Sequence, residues 1–86
     1  MQPNRTIVED THFRRELLAI EPNEEDADNL IEGATFVLSR EPTLGRQNSS
    51  HSPLWYLTIL LPPDREAVLY YTFDATEVLL ISIQIQ

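Results

Sequence analysis

The spacing of apolar residues changes period along the chain, and each change marks an element. Phe13, Leu17 and Ile20 stand at i, i+4 and i+7, one stripe of a helix. Asp10 or Thr11 is the natural N-cap, and Pro22 ends the pattern because the residue before a proline avoids the helical region. Ahead of this helix, Arg5 to Glu9 (RTIVE) reads as a short strand, since Thr6, Ile7 and Val8 are β-branched. Asn23 then caps a second helix, with Glu24, Glu25, Asp26 and Asp28 crowding its first turns, where the helix dipole favours anions. Ala27, Leu30, Ile31, Ala34, Val37 and Leu38 form its apolar face, and Pro42 closes it. Gly33 costs about 1 kcal/mol relative to alanine in mid-helix. Close packing against the first helix is the expected compensation. The link between the helices is short, so the pair reads as an antiparallel hairpin.

Residues 43 to 53 (TLGRQNSSHSP) have the composition of a loop. Beyond them the period falls to two. Leu54 to Leu61 places Trp55, Leu57, Ile59 and Leu61 on one face. Pro62, Pro63 and Asp64 break this strand. Ala67 to Phe73 and Val78 to Ile85 follow, joined by a turn at Asp74 to Thr76. In the last strand both alternating rows are largely apolar: Leu79, Ile81, Ile83 and Ile85, and Val78, Leu80, Ser82 and Gln84. A two-residue and a three-residue turn give opposite pairings of these faces, so the register stays open.

The expected architecture is a single α+β domain over residues 1–86, in the order β-α-α-β-β-β. A helical hairpin packs on one face of a small antiparallel sheet, against the row of Trp55, Leu57 and Ile59. Nothing else in the chain is available for the opposite face, yet its residues are not charged. An uncovered apolar patch on a small domain marks a partner site. Tyr56, Tyr70 and Leu80 are the expected contact residues, with either a protein partner or a second copy as the occupant.

Charge narrows the function classes. The chain has 86 residues, with six Arg and no Lys against fourteen Asp and Glu, for a net charge of −8. Nucleic-acid binders neutralise phosphates with Lys and Arg, so a nucleic-acid partner is not expected. Attraction to an anionic membrane is disfavoured for the same reason. Cysteine is absent, which removes disulfides, thiolate ligands and a thiol nucleophile. The first ten residues carry no apolar run of the signal-peptide kind, and a cytoplasmic location is the expectation. No ligand spacing points to a metal or another cofactor. The acids Glu24, Glu25, Asp26 and Asp28 lack the alternating oxygens and central glycine of a calcium loop. Arg46 and His51, in the loop before the second strand, are the one pair with chemistry suited to a phosphodiester. Histidine titrates near neutrality and arginine stabilises a charged transition state. No second base stands nearby in sequence.

The stretch FRRELLAIEPNEEDADNLIEGATFVLSREP, followed by LWYLTILLPP and AVLYYTFDATEVLLISI, resembles the bacterial RelE/ParE toxin superfamily. The likeness runs over residues 6 to 85. It implies a helical hairpin on a twisted antiparallel sheet, and a role as the toxin half of a toxin–antitoxin pair. RelE-like members cleave messenger RNA on the ribosome with basic and aromatic side chains, whereas ParE-like members act on DNA gyrase. Both are neutralised by an antitoxin segment lying over the sheet and helices. The basic catalytic set of the ribonucleases is missing here. The resemblance therefore implies a catalytically impaired interaction module, with an antitoxin-like peptide or another copy as its partner. The alternatives are a messenger-RNA endonuclease using Arg46 and His51, or a gyrase-directed toxin.

Overall fold

A computed structural model describes residues 4–86. The first strand, β1, is Thr6–Glu9 and leads directly into helix α1, Thr11–Ile20. Asp10 is the N-cap: its backbone is extended (φ −66°, ψ 153°), and its carboxylate accepts the His12 N–H at 3.0 Å. Phe13 and Leu17 bury the apolar stripe, with Ile20 packed beside them. Helix α2 runs Glu24–Arg40. Asn23 caps it through a 3.0 Å bond from the Asp26 N–H, and Glu24, Glu25 and Asp26 occupy the first turn. Arg40 sits in the last turn, where the dipole favours a cation.

The helices are fastened by charge as well as by packing. The Arg14 Nε and Nη2 groups donate to the two Glu9 carboxylate oxygens at 2.9 and 2.6 Å, and Nη1 donates to Asp28 at 2.7 Å. One guanidinium thus joins β1, α1 and α2. Gly33 departs from expectation. A Cβ built there meets nothing within 4 Å, so no close helix approach requires a glycine at this position.

Among the described residues the sheet has five strands in the order β1-β5-β4-β3-β2, with β2 at Arg46–Gln47, β3 at Trp55–Leu61, β4 at Arg65–Phe73 and β5 at Glu77–Ile85. β3, β4 and β5 form the expected antiparallel meander. Two features correct the purely antiparallel sheet. β1 lies parallel to β5, pairing Thr6 with Glu77 through Glu9 with Leu80. The polar loop also contributes β2, which pairs Arg46 with Tyr56 and Gln47 with Trp55.

The open question of register in β5 is resolved by a bulge. Phe73 pairs with Val78 and Tyr71 with Leu80, but Tyr70 pairs with Ser82, so Ile81 is the extra residue. The bulge exchanges the two rows. Val78 and Leu80 face the helices before it, and Ile83 does so after it; all three are buried. Neither of the regular alternations is therefore correct over the whole strand. The core is Phe13, Leu17, Ala27, Ile31 and Leu38 from the helices against Leu61, Ala67, Leu69, Tyr71, Val78, Leu80 and Ile83 from the sheet. Trp55, Leu57, Ile59 and Phe73 pack around it, as the β3 row was expected to do. Among the described residues, no helix is long and apolar enough to cross a membrane.

Candidate docking surface

β2 is held in place from below. After α2, Pro42–Leu44 form one 3-10 turn, and the buried Tyr71 hydroxyl donates to the Pro42 carbonyl. Burial raises the Tyr71 pKa, because a phenolate would lose its hydration there; the Gly45 N–H opposes that shift. The chain then rises through Gly45 into the sheet. A Cβ at Gly45 would lie only 2.6 Å from the Tyr56 carbonyl oxygen, so this crossing is open to glycine alone.

Because β2 is two residues long, it covers only Trp55 and Tyr56 of β3. Beyond them, Leu57 to Leu61 have no strand on their outer side among the described residues. Which groups this leaves bare follows from antiparallel geometry. The Leu54 carbonyl accepts the Asn48 N–H at 2.8 Å on the β2 side. Backbone groups alternate in direction along a strand, so Tyr56, Thr58 and Leu60 also turn outward. Tyr56 meets Arg46. Thr58 and Leu60 present N–H and C=O groups with no backbone partner among the described residues.

The side chains beside this edge are apolar. Leu60 is 76% exposed and Leu44 is 57% exposed. Between α2 and β3 lies a shallow groove of about 400 Å³, walled by Gly33, Ala34 and Val37 on one side and by Leu57 and Ile59 on the other. None of its lining residues is charged. Phe36, one turn along the helix, is 59% exposed, with the Arg40 guanidinium 4.2 Å from its ring centre. Natural edge strands carry charges, proline or bulges that discourage pairing, and β3 (WYLTILL) has none of these.

The face of the sheet away from the helices carries Tyr56, Thr58 and Leu60 beside Tyr70, Val68 and Glu66. Tyr56 and Tyr70 stand directly opposite each other, with ring centroids 6.3 Å apart. Both are half-buried. Val68 is 6% exposed although no element among the described residues lies over it; it sits mid-sheet between Thr58 and Gln84. The sheet thus shields much of its own open face. Leu80, expected on that face, is fully buried in the core, because the residues before the bulge turn toward the helices. Leu80 is therefore not a surface contact residue.

The pair with candidate chemistry is not assembled into a site. Arg46 lies on β2 and His51 at the tip of the loop between β2 and β3, where its φ is 67°. Both are exposed, and neither side chain makes a hydrogen bond or ion pair among the described residues. No group of three or more metal-ligating side chains occurs among the described residues. The perturbed ionisable groups have structural causes. Hydrogen bonds to Glu9 and then Asp28 hold Arg14 protonated. The Asp74 carboxylate is held below its usual range chiefly by the backbone N–H groups of Thr76 and Glu77, each at 2.8 Å, which close the β4–β5 turn.

No family model, curated protein or solved structure matches this chain. Of the residues marked from sequence, Tyr56 and Tyr70 are brought together and Leu80 is withdrawn. The residues that sequence reading missed are Thr58 and Leu44 at the bare edge; Leu60 was read on the uncovered face and is 76% exposed. The available signal was the uncharged run from Trp55 to Leu61.

Proposed function

We propose that the chain is a protein-interaction module. Its partner is an antitoxin-like segment that lies on the open face of the sheet over Tyr56 and Tyr70. The observation that carries this reading is the uncharged β3 side of the sheet, which sets Tyr56 opposite Tyr70 on the open face and leaves Leu60 three-quarters exposed. An isolated soluble domain gains nothing from such a surface, whereas a covered one buries it. The acids lie mainly on the helical hairpin, so they favour a partner whose flanks are basic. Catalysis is not part of the reading: Arg46 and His51 are exposed, and neither side chain has a hydrogen-bond or ionic partner among the described residues. The toxin-like build and a cytoplasmic setting belong to the same proposal.

Expression in a bacterial host tests it. Growth is expected to continue, and the purified chain is expected to bind the product of the adjoining reading frame. Tyr56→Ala with Tyr70→Ala is expected to weaken that complex at least tenfold while leaving the fold intact. Growth arrest accompanied by messenger-RNA cleavage, and abolished by Arg46→Ala or His51→Ala, would overturn the proposal in favour of a nuclease.

A further inference from the structure

The bare edge of β3 is complementary to itself. Among the described residues of this edge, Thr58 and Leu60 turn unpaired backbone groups outward beyond β2. If two β3 strands meet antiparallel about Ile59, Thr58 of each faces Leu60 of the other. In that register each facing pair exchanges both of its N–H···O=C bonds, as a hydrogen-bonded antiparallel pair does. The side chains agree with this alignment. Leu57 meets Leu61 and Ile59 meets Ile59 on the helix side, while Thr58 meets Leu60 on the open side. No charge is brought together along the run, because Trp55 to Leu61 contains none.

The ends of the edge carry opposite signs. Arg46 stands where β2 stops covering β3, and Asp64 lies in the turn just past the other end of β3. Both are exposed, and neither has an ionic partner among the described residues. Antiparallel pairing brings the Asp64 turn of each copy to the Arg46 end of the other. Arg65 belongs to β4 and stands one strand farther from the junction. The dense acids of α2, Glu24 to Asp28, lie at its N-terminal end, away from the groove lined by Gly33, Ala34 and Val37. At physiological ionic strength charges farther apart than about 8 Å are largely screened, so the net charge does not prevent this contact.

We propose that two copies of this chain pair antiparallel through their β3 edges, joining two five-stranded sheets into one of ten strands. This rests on reading the β3 side as a binding surface, and it names a second copy as the occupant of the edge. Leu60 and the apolar groove are then covered across the two-fold axis. The Tyr56–Tyr70 pair on the open face stays available to another protein.

Sedimentation over a concentration series, with amide hydrogen exchange at the same concentrations, tests the proposal. A monomer–dimer equilibrium is expected, with protection of the Thr58 and Leu60 amides rising together with the dimer fraction. Thr58→Pro removes an N–H that has no partner among the described residues, a substitution edge strands tolerate. It is expected to weaken dimerisation at least tenfold while circular dichroism is unchanged. Arg46→Asp is expected to weaken it less, and Arg46→Asp combined with Asp64→Arg to restore it. A wild-type chain that stays monomeric at 0.5 mM would overturn the proposal. So would a dimer that persists in Thr58→Pro with the Leu60 amide still exchanging freely. A monomer that still binds the adjoining frame's product through Tyr56 and Tyr70 would refute the dimer alone. A dimer that binds no such product would refute the antitoxin-like partner alone.

Discussion

Gly45→Ala is a severe test of how the edge of the sheet is built. Its φ of −73° is open to any residue, so backbone torsion is not what requires glycine here. Space is. A Cβ would press inside contact distance of the Tyr71 hydroxyl, 2.6 Å from the Tyr56 carbonyl oxygen and 3.0 Å from Tyr71 Cζ. The ring has no room to swing, because Tyr71 is fully buried. Overpacking of this kind costs about 1–3 kcal/mol. Displacing the hydroxyl from the Pro42 carbonyl leaves a buried polar group unpaired, for about 1–3 kcal/mol more. The sum, roughly 2–6 kcal/mol, compares with a total stability of roughly 4–13 kcal/mol for a chain of this length. Urea denaturation followed by tryptophan fluorescence measures it, since Trp55 lies on the strand that β2 covers. Tyr71→Phe removes the atom in closest conflict. In that background Gly45→Ala is therefore expected to cost less, with a coupling of about 1 kcal/mol or more in a double-mutant cycle. An alanine variant within about 0.5 kcal/mol of the parent, or strict additivity in the cycle, would refute the reasoning.

Leu80→Ala is expected to destabilise by about 2–5 kcal/mol in thermal or urea unfolding, the cost of a core cavity rather than of a lost surface contact. Gly33→Ala is expected to stabilise by about 0.5–1 kcal/mol in the same assay, since the added methyl meets open space in mid-helix; a loss would show that the site is packed. Arg14→Ala is expected to cost about 0.5–1 kcal/mol, because its side chain and those of Glu9 and Asp28 are partly exposed, and the loss is expected to shrink in 1 M salt. Asp74 has a depressed carboxyl pKa, so its contribution is fully present above the unfolded value near about 3.9 and fades as pH falls through the folded value. The stability difference between the parent and Asp74→Asn is therefore expected to be flat from pH 7 to 5 and to shrink below pH 4; a difference unchanged down to pH 2 would contradict the turn geometry.

The local grammar of this chain was readable because each signal acts within a few residues. Asp10 and Asn23 cap the helices they precede, Pro22 and Pro42 follow their ends, and Asp74 closes a hairpin. What was not readable depends on partners distant in sequence. Nothing in Thr6 to Glu9 marks the strand as parallel to β5, because β-branched residues suit either direction. Arg46 and Gln47 are too few and too polar to signal a strand; they form one because Tyr71, Pro42 and Gly45 set the chain against Tyr56. The bulge at Ile81 is hidden for the opposite reason. VLLISI is apolar in both alternating rows, so either row is able to enter the core and only the three-dimensional fit decides. The error over Leu80 follows from that degeneracy. Tyr56 and Tyr70 were placed together correctly because the strands that carry them are joined by a short turn.

The position of β5 bears on how the protein emerges during synthesis. It follows the other described strands in the chain, yet it lies between β1 and β4. While residues 77 to 85 are still inside the ribosomal tunnel, β1 has no strand to lie against, and Phe13 and Leu17 lack the Leu80 and Ile83 side of their core. The nascent chain can form its helices and the β3–β4 hairpin, but it cannot close the sheet until residues 77 to 85 have emerged. Cooperative folding therefore waits for β5, and removing this strand is expected to abolish the native state rather than trim one edge of it.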